Sequence, residues 1–128
     1  VKTSLKTNRQ DVESGKMKVL EGSVEALPFA DDGFDKIITV ESFYFWPDPQ
    51  ENLKEVRRVL KEGGTFLLVA DTYNKEGLDP KTLENICRFH LFTPTAEEFR
   101  KLFEKAGFTD IQIHVKEGTD WICVEGKK

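Results

Sequence analysis

Cysteine is scarce in this chain. The two present, Cys87 and Cys123, lie far apart and form neither a CxxC pair nor part of a histidine cluster. That pattern excludes a disulfide-dense scaffold and a thiolate metal site, and the expectation is two separate reduced thiols in an intracellular protein. Long apolar runs are also missing, since none approaches the roughly 20 residues that a membrane-crossing helix needs. Only two histidines occur, His90 and His114, and neither has an acidic partner at readable spacing, so both read as structural or exposed. Asp31 and Asp32 are a lone carboxylate pair in a turn and lack the ligand count of a cation site. The opening VKTSLKTNRQ has no apolar core of the kind a secretory leader carries. A basic patch is absent as well. The formal charge is −4, with lysines and arginines interspersed among acids, which argues against a phosphate-backbone partner. A cytoplasmic location with neither nucleic-acid nor membrane partners is the expectation.

What the chain does contain is core material: 38% apolar residues with ten Phe over 128 residues, the size of one domain spanning 1–128. Residues 1–16 are polar, with a weak signal for a short helix ending near Gly15. Met17 to Leu20 (MKVL) reads as a buried strand stopped by Gly22. Phe34 to Val40 (FDKIITV) reads as a second strand, followed by the aromatic run Phe43-Tyr44-Phe45-Trp46. Asp48-Pro49 is a cap followed by proline at the first helical position. The helix it starts is expected to reach Lys61, with Leu53, Val56, Val59 and Leu60 on one face and Gly63-Gly64 as its terminator. Thr65 to Ala70 (TFLLVA) reads as a central parallel strand able to bury both faces.

The second half repeats these devices. Asp79-Pro80 starts another helix with a stripe of Leu83, Ile86 and Cys87. Thr95-Ala-Glu-Glu98 is a capping box whose helix carries Phe99, Leu102, Phe103 and Ala106 and stops at Gly107. Ile111, Ile113 and Val115 alternate with polar residues, as do Trp121 and Cys123 against Ile122 and Val124. Lys116 to Gly118 lies between them as a turn, so an antiparallel pair is expected. Strands alternating with helices indicate an α/β sheet with helices packed on it.

GSVEALPFADDGFD, the strand and aromatic loop after it, the DP-initiated helix ending RRVLKEGG and the strand TFLLVAD resemble the class I S-adenosylmethionine-dependent methyltransferases. The small-molecule branch, whose members methylate quinone precursors, sterols and similar metabolites, is the nearest likeness. FTPTAEEFRKLFEKAGFTDIQIH fits that family's last helix and terminal strands, so the resemblance covers about residues 17 to 125. It implies a partial Rossmann-like sheet, mostly parallel with a C-terminal antiparallel hairpin. It also implies S-adenosylmethionine as cofactor. By the same likeness, Gly22, Ser23 and Val24 would close over the adenine, with serine where the family usually has aspartate. Val40, Glu41 and Ser42 would run beside the methionine part. Phe43, Tyr44, Phe45 and Trp46 would face the methyl group and the acceptor, and Asp71, Thr72 and Tyr73 would line the acceptor side.

Physical chemistry agrees with that placement, because ligands of open α/β sheets bind beyond the carboxyl ends of parallel strands. A sulfonium cation gains from aromatic faces and nearby carboxylates. Methyl transfer needs chiefly alignment, so no fixed acid–base pair is demanded. Bland roles stay open beside these: a core plug for the aromatic run, a solvated strand end for Glu41, a cap for Asp71. The sequence shows no GxGxG loop and no counterpart of the family's first two strands. Weak or absent cofactor binding by this chain alone is therefore the expectation, with either the Met17 and Phe34 strands pairing directly or a second copy or another chain filling the sheet edge. The loop VESFYFW lacks an NPPY-type element, which points to an oxygen, carbon or sulfur acceptor on a small apolar or aromatic molecule. A methyltransferase-like binding or regulatory module without catalysis is the alternative.

Overall fold

The computed structural model describes residues 1–128. Two short helices open it, α1 (Lys2–Thr7) and α2 (Arg9–Glu13), with no buried residue between them. Then follow β1 (Phe34–Val40), a 3-10 turn (Phe43–Phe45), α3 (Pro49–Val59), β2 (Leu60–Ala70), α4 (Pro80–Arg88), α5 (Ala96–Lys105), β3 (Thr109–Val115) and β4 (Ile122–Lys127). The four strands form one sheet in the order β1-β2-β4-β3. β1 runs parallel to β2, while β4 is antiparallel to both β2 and β3. The α/β class and the terminal antiparallel pair are as expected.

Each helix start follows from local chemistry. The Asp48 carboxylate accepts from the Glu51 amide at 3.3 Å, and Asp79 accepts from Lys81 and Thr82 at 3.0 and 3.1 Å. At α5 the capping box closes in both directions, Glu98 N–H to Thr95 Oγ1 at 3.1 Å and Thr95 N–H to Glu98 Oε1 at 3.2 Å.

The core lies on one face of the sheet. Phe66, Leu68 and Ala70 of β2 and Ile122 and Val124 of β4 point into it, and α3 and α5 cover it with Leu53, Val56, Phe99 and Phe103. The alternate residues face the other way, where Ile38 and Val40 remain 59% and 55% exposed. The expectation that Thr65–Ala70 buries both faces is thus met on one face only, since Thr65, Leu67 and Val69 stay half-buried.

Two further expectations are corrected. Met17–Leu20 is irregular and joins no strand, its one ladder-like contact being Met17 N–H to Asp11 C=O at 3.1 Å. So short a segment becomes a strand only if a neighbouring backbone pairs with it, and β1 pairs on its β2 side alone. The other concerns Gly63-Gly64, which do not end the helix. It stops at Val59 with Leu60 already extended, and residues 61–64 form a bulge in the register between Phe34↔Leu60 and Lys36↔Thr65. Gly63 takes φ +75°, and a Cβ on Gly64 would sit 2.7 Å from the Lys61 carbonyl oxygen. The glycines are needed for that tight return.

Candidate functional site

The carboxyl ends of the parallel pair β1 and β2 meet. Directly after β1 comes Glu41, a non-glycine residue at φ +58°, whose amide donates to Val69 C=O at 3.0 Å. This turn aims the Glu41 side chain across to β2, where Oε1 accepts from the Asp71 amide at 2.6 Å. Left-handed backbone at a side-chain-bearing residue costs on the order of 1 kcal/mol and marks a position held by its surroundings.

The 3-10 turn after Ser42 supplies the third partner. The Tyr44 hydroxyl donates to Asp71 Oδ1 at 2.8 Å and accepts from the Thr72 amide at 3.1 Å. Its backbone carbonyl accepts from Phe92 at 3.4 Å, so one tyrosine joins the β1–α3, β2–α4 and α4–α5 connections. Burial, then the bond to Asp71, holds the Tyr44 phenol far above its ordinary range, so it stays protonated. Burial first, then the Asp71 charge, raises the Glu41 carboxyl above its usual 4.5.

That shift has a sign. The part of stability linked to Glu41 protonation is fully present below 4.5 and is lost as pH rises through the raised folded value. Glu41→Gln keeps an oxygen for the Asp71 amide and removes the charge. Thermal unfolding from acid to neutral pH should show the variant gaining on the parent as pH rises; a flat or falling difference would contradict the assignment.

No ion pair of the chain includes Glu41 or Asp71. Two adjacent carboxylates beside an aromatic ring, with no internal cation to neutralise them, suit a positively charged ligand. The donor set therefore fits the sulfonium half of S-adenosylmethionine.

The remaining nominated residues fall into distinct settings. Val40 is an exposed strand end, and Ser42 Oγ touches Thr39 Oγ1. The aromatic run divides: Phe43 is a core side chain against Trp46, Phe92 and Phe99 at 5.1, 5.7 and 5.3 Å between ring centroids. Phe45 is 69% exposed, and Tyr73 packs on the core edge. Gly22, Ser23 and Val24 lie in a separate tight turn, in which Ser23 Oγ bonds the Glu25 carboxylate and amide, both at 3.2 Å. The serine nominated for an adenine contact is thus already engaged by its own loop.

That loop is anchored by α3. Glu55 accepts from the Leu27 amide at 2.8 Å, and Arg58 donates to Phe29 C=O, Leu27 C=O and the Asp31 carboxylate at 2.9, 3.2 and 2.7 Å. The hydrogen bonds to Glu55 and then Asp31 push the Arg58 guanidinium above its already high range. Arg58→Lys should not restore Arg58→Ala, because an ammonium cannot reach these divergent partners at once. Hydrogen exchange should show residues 27–33 losing protection in both variants while β2 keeps its own.

Helix α4 stands over this end of the sheet. Thr82, Asn85 and Ile86 of α4, with Leu91, Tyr44, Asp71 and Thr72, line a partly open cleft of about 210 Å3. Asn85 carried no signal in the sequence, since a mid-helix asparagine in a polar stretch reads as surface.

Against known proteins, the family profile described as a methyltransferase domain matches residues 1–68. This chain belongs to the class I S-adenosylmethionine-dependent methyltransferases. Rice 2-methyl-6-phytyl-1,4-hydroquinone methyltransferase 1, chloroplastic, is 34% identical over 109 residues, covering 85% of this chain and 32% of the rice protein. The Arabidopsis thaliana chloroplastic enzyme of the same description is 38% identical over 96 residues, covering 75% of this chain and 27% of that protein. This methyltransferase chain thus spans about a third or less of those relatives. A solved S-adenosylmethionine-dependent methyltransferase from Thermotoga maritima superposes with TM-score 0.71 at 26% identity, covering 94% of this chain and 69% of that one. Haemonchus contortus phosphoethanolamine N-methyltransferase 2, solved with S-adenosyl-L-methionine, shares the fold alone at TM-score 0.69 and 13% identity, over 83% of this chain and 36% of that one.

Proposed function

We propose that this chain takes part in methyl transfer from S-adenosylmethionine to a small aromatic or apolar acceptor, at the carboxyl ends of β1 and β2. The observation that carries the reading is two carboxylates with no cation beside them: Glu41 Oε1 accepts from the Asp71 backbone amide at 2.6 Å, and the Asp71 carboxylate accepts from the Tyr44 hydroxyl at 2.8 Å. The two carboxylates would hold the cofactor's cationic centre by charge. When bound, the cofactor supplies an electrophilic methyl group. The chain's own part is to orient the acceptor and keep water from it, which favours reaction through alignment. Relatives whose printed names specify a hydroquinone support a small ring as acceptor.

Calorimetric titration with S-adenosylhomocysteine and S-adenosylmethionine tests this. Weak binding of both, as expected without a glycine-rich loop, with the Glu41→Gln/Asp71→Asn double variant losing affinity only for the sulfonium ligand S-adenosylmethionine, is the expected result. No heat with either ligand at millimolar concentration, for a folded chain, would reject it.

A second reading is favoured by β1, which pairs on one side only and leaves Ile38 and Val40 over half exposed. Such an edge suits a non-catalytic module that associates with a second copy or another chain. Sedimentation equilibrium separates the two: a dimer with no ligand response favours association, and a ligand-binding monomer favours the enzyme.

A further inference from the structure

β1 is an outer strand of the sheet, paired with β2 alone. The Glu41 N–H points to β2, and the backbone direction alternates along a strand. The N–H and C=O groups of Lys36, Ile38 and Val40 therefore point away from the sheet, and no other backbone segment bonds to them. Clefts flank this free edge on both faces. On the open face, Lys18, Leu20, Phe29 and Phe34 line a cleft of about 490 Å3. Another of about 260 Å3 shares Phe29 and Phe34 and reaches Ile37 and Val59 on the helix-covered face. Neither cleft has an acidic residue in its walls, while Lys18 and Lys36 belong to no ion pair.

We propose that the β1 edge takes up an extended segment of another polypeptide as a fifth strand, apolar at its centre and acidic at its ends. The unpaired N–H and C=O groups of β1 supply the affinity, as in strand addition generally. Side chains of a strand alternate between faces, so successive residues of the guest enter the two clefts in turn. Branched aliphatic side chains suit walls of Leu20, Phe29, Phe34 and Ile37, and the terminal carboxylates meet Lys18 and Lys36. This partner rests on the association reading of β1 and narrows it. A second copy is the poorer guest. Two-fold pairing of β1 with itself would double the unmatched positive charge at the seam, because Asp35 of the same strand already pairs with Lys61 at 3.3 Å.

Amide chemical shifts of the full chain test this with three end-blocked hexapeptides. One is Asp-Val-Ile-Val-Ile-Asp, one has lysine in place of both aspartates, and one is the aspartate form N-methylated at its four central residues. The first should move the amides of Lys36, Ile38 and Val40 and slow their hydrogen exchange. The lysine form should bind about tenfold more weakly at low salt, and the N-methylated form should not bind. Lys18→Glu/Lys36→Glu should reverse the preference for end charge. Ile38→Pro should abolish binding while Phe66 exchanges as in the parent, because the lost N–H faces outward and an edge strand tolerates proline. If that variant unfolds, the peptide series on the parent chain decides. Equal binding of the N-methylated peptide, indifference to end charge, shifts confined to other residues, or no response at millimolar peptide would each overturn the proposal. Sedimentation of the chain alone keeps the two readings apart. If it self-associates and binds no peptide, the association reading stands and this partner falls. If it is monomeric and binds none, both fall.

Discussion

Phe103→Ala should lower the stability of this fold by about 3–5 kcal/mol, a large part of the roughly 5–15 kcal/mol that holds a domain together. Phe103 is fully buried and stacks on Phe66 at 5.6 Å with the rings 15° apart, while Phe108 lies 5.2 Å away. The three rings come from α5, β2 and the α5–β3 connection, so one side chain bonds the helix layer to the sheet. The space it leaves cannot collapse easily. The backbone of β4 passes so close that a Cβ on Gly126 would lie 2.9 Å from the Phe103 ring. Backbone inside a sheet does not move in to fill a void. Urea denaturation should show the midpoint falling with the slope unchanged. A loss under about 1 kcal/mol would mean that this ring cluster is not the centre of the core.

Tyr44→Phe should cost about 1–3 kcal/mol although it removes one oxygen atom. The hydroxyl satisfies the Thr72 amide and orients Asp71. Without it, a half-buried N–H loses its acceptor, and the phenylalanine ring has nothing to offer in return. The change is local, so the far end of the sheet should not feel it. Amide exchange at Thr72 should accelerate strongly while Phe66 and Leu68 exchange as before. If Thr72 exchange is unchanged, water or another group already serves that amide, and the tyrosine does not brace the strand ends.

Much of the fold was legible from short-range chemistry. Asp48-Pro49, Asp79-Pro80 and Thr95 with Glu98 act within one helical turn, and all three start helices where the sequence places them. The alternation of Ile122 and Val124 against Cys123 was likewise enough to place β4, because period-two burial is a local property. Met17–Leu20 was misread for the opposite reason. Its apolar letters fit a strand, but strand formation depends on a distant neighbour that the letters do not encode. Gly63-Gly64 misled because glycine serves helix ends and bulges alike, and the close approach of Leu60 to Gly64 decides between them. At the site, resemblance nominated Glu41, Tyr44 and Asp71 one by one. That they bond to each other depends on where three separate connections meet. No spacing along the chain reveals that, and none reveals Asn85 across the cleft.

The order β1-β2-β4-β3 places the last strand of the chain between two earlier ones. Until β4 is in place, β3 has α5 to pack on but no strand to pair with, and the sheet edge of β2 beside the aromatic core stays open. Disrupting β4 should therefore bare the phenylalanines packed against it and cost solubility before it alters any chemistry at the far end of the sheet.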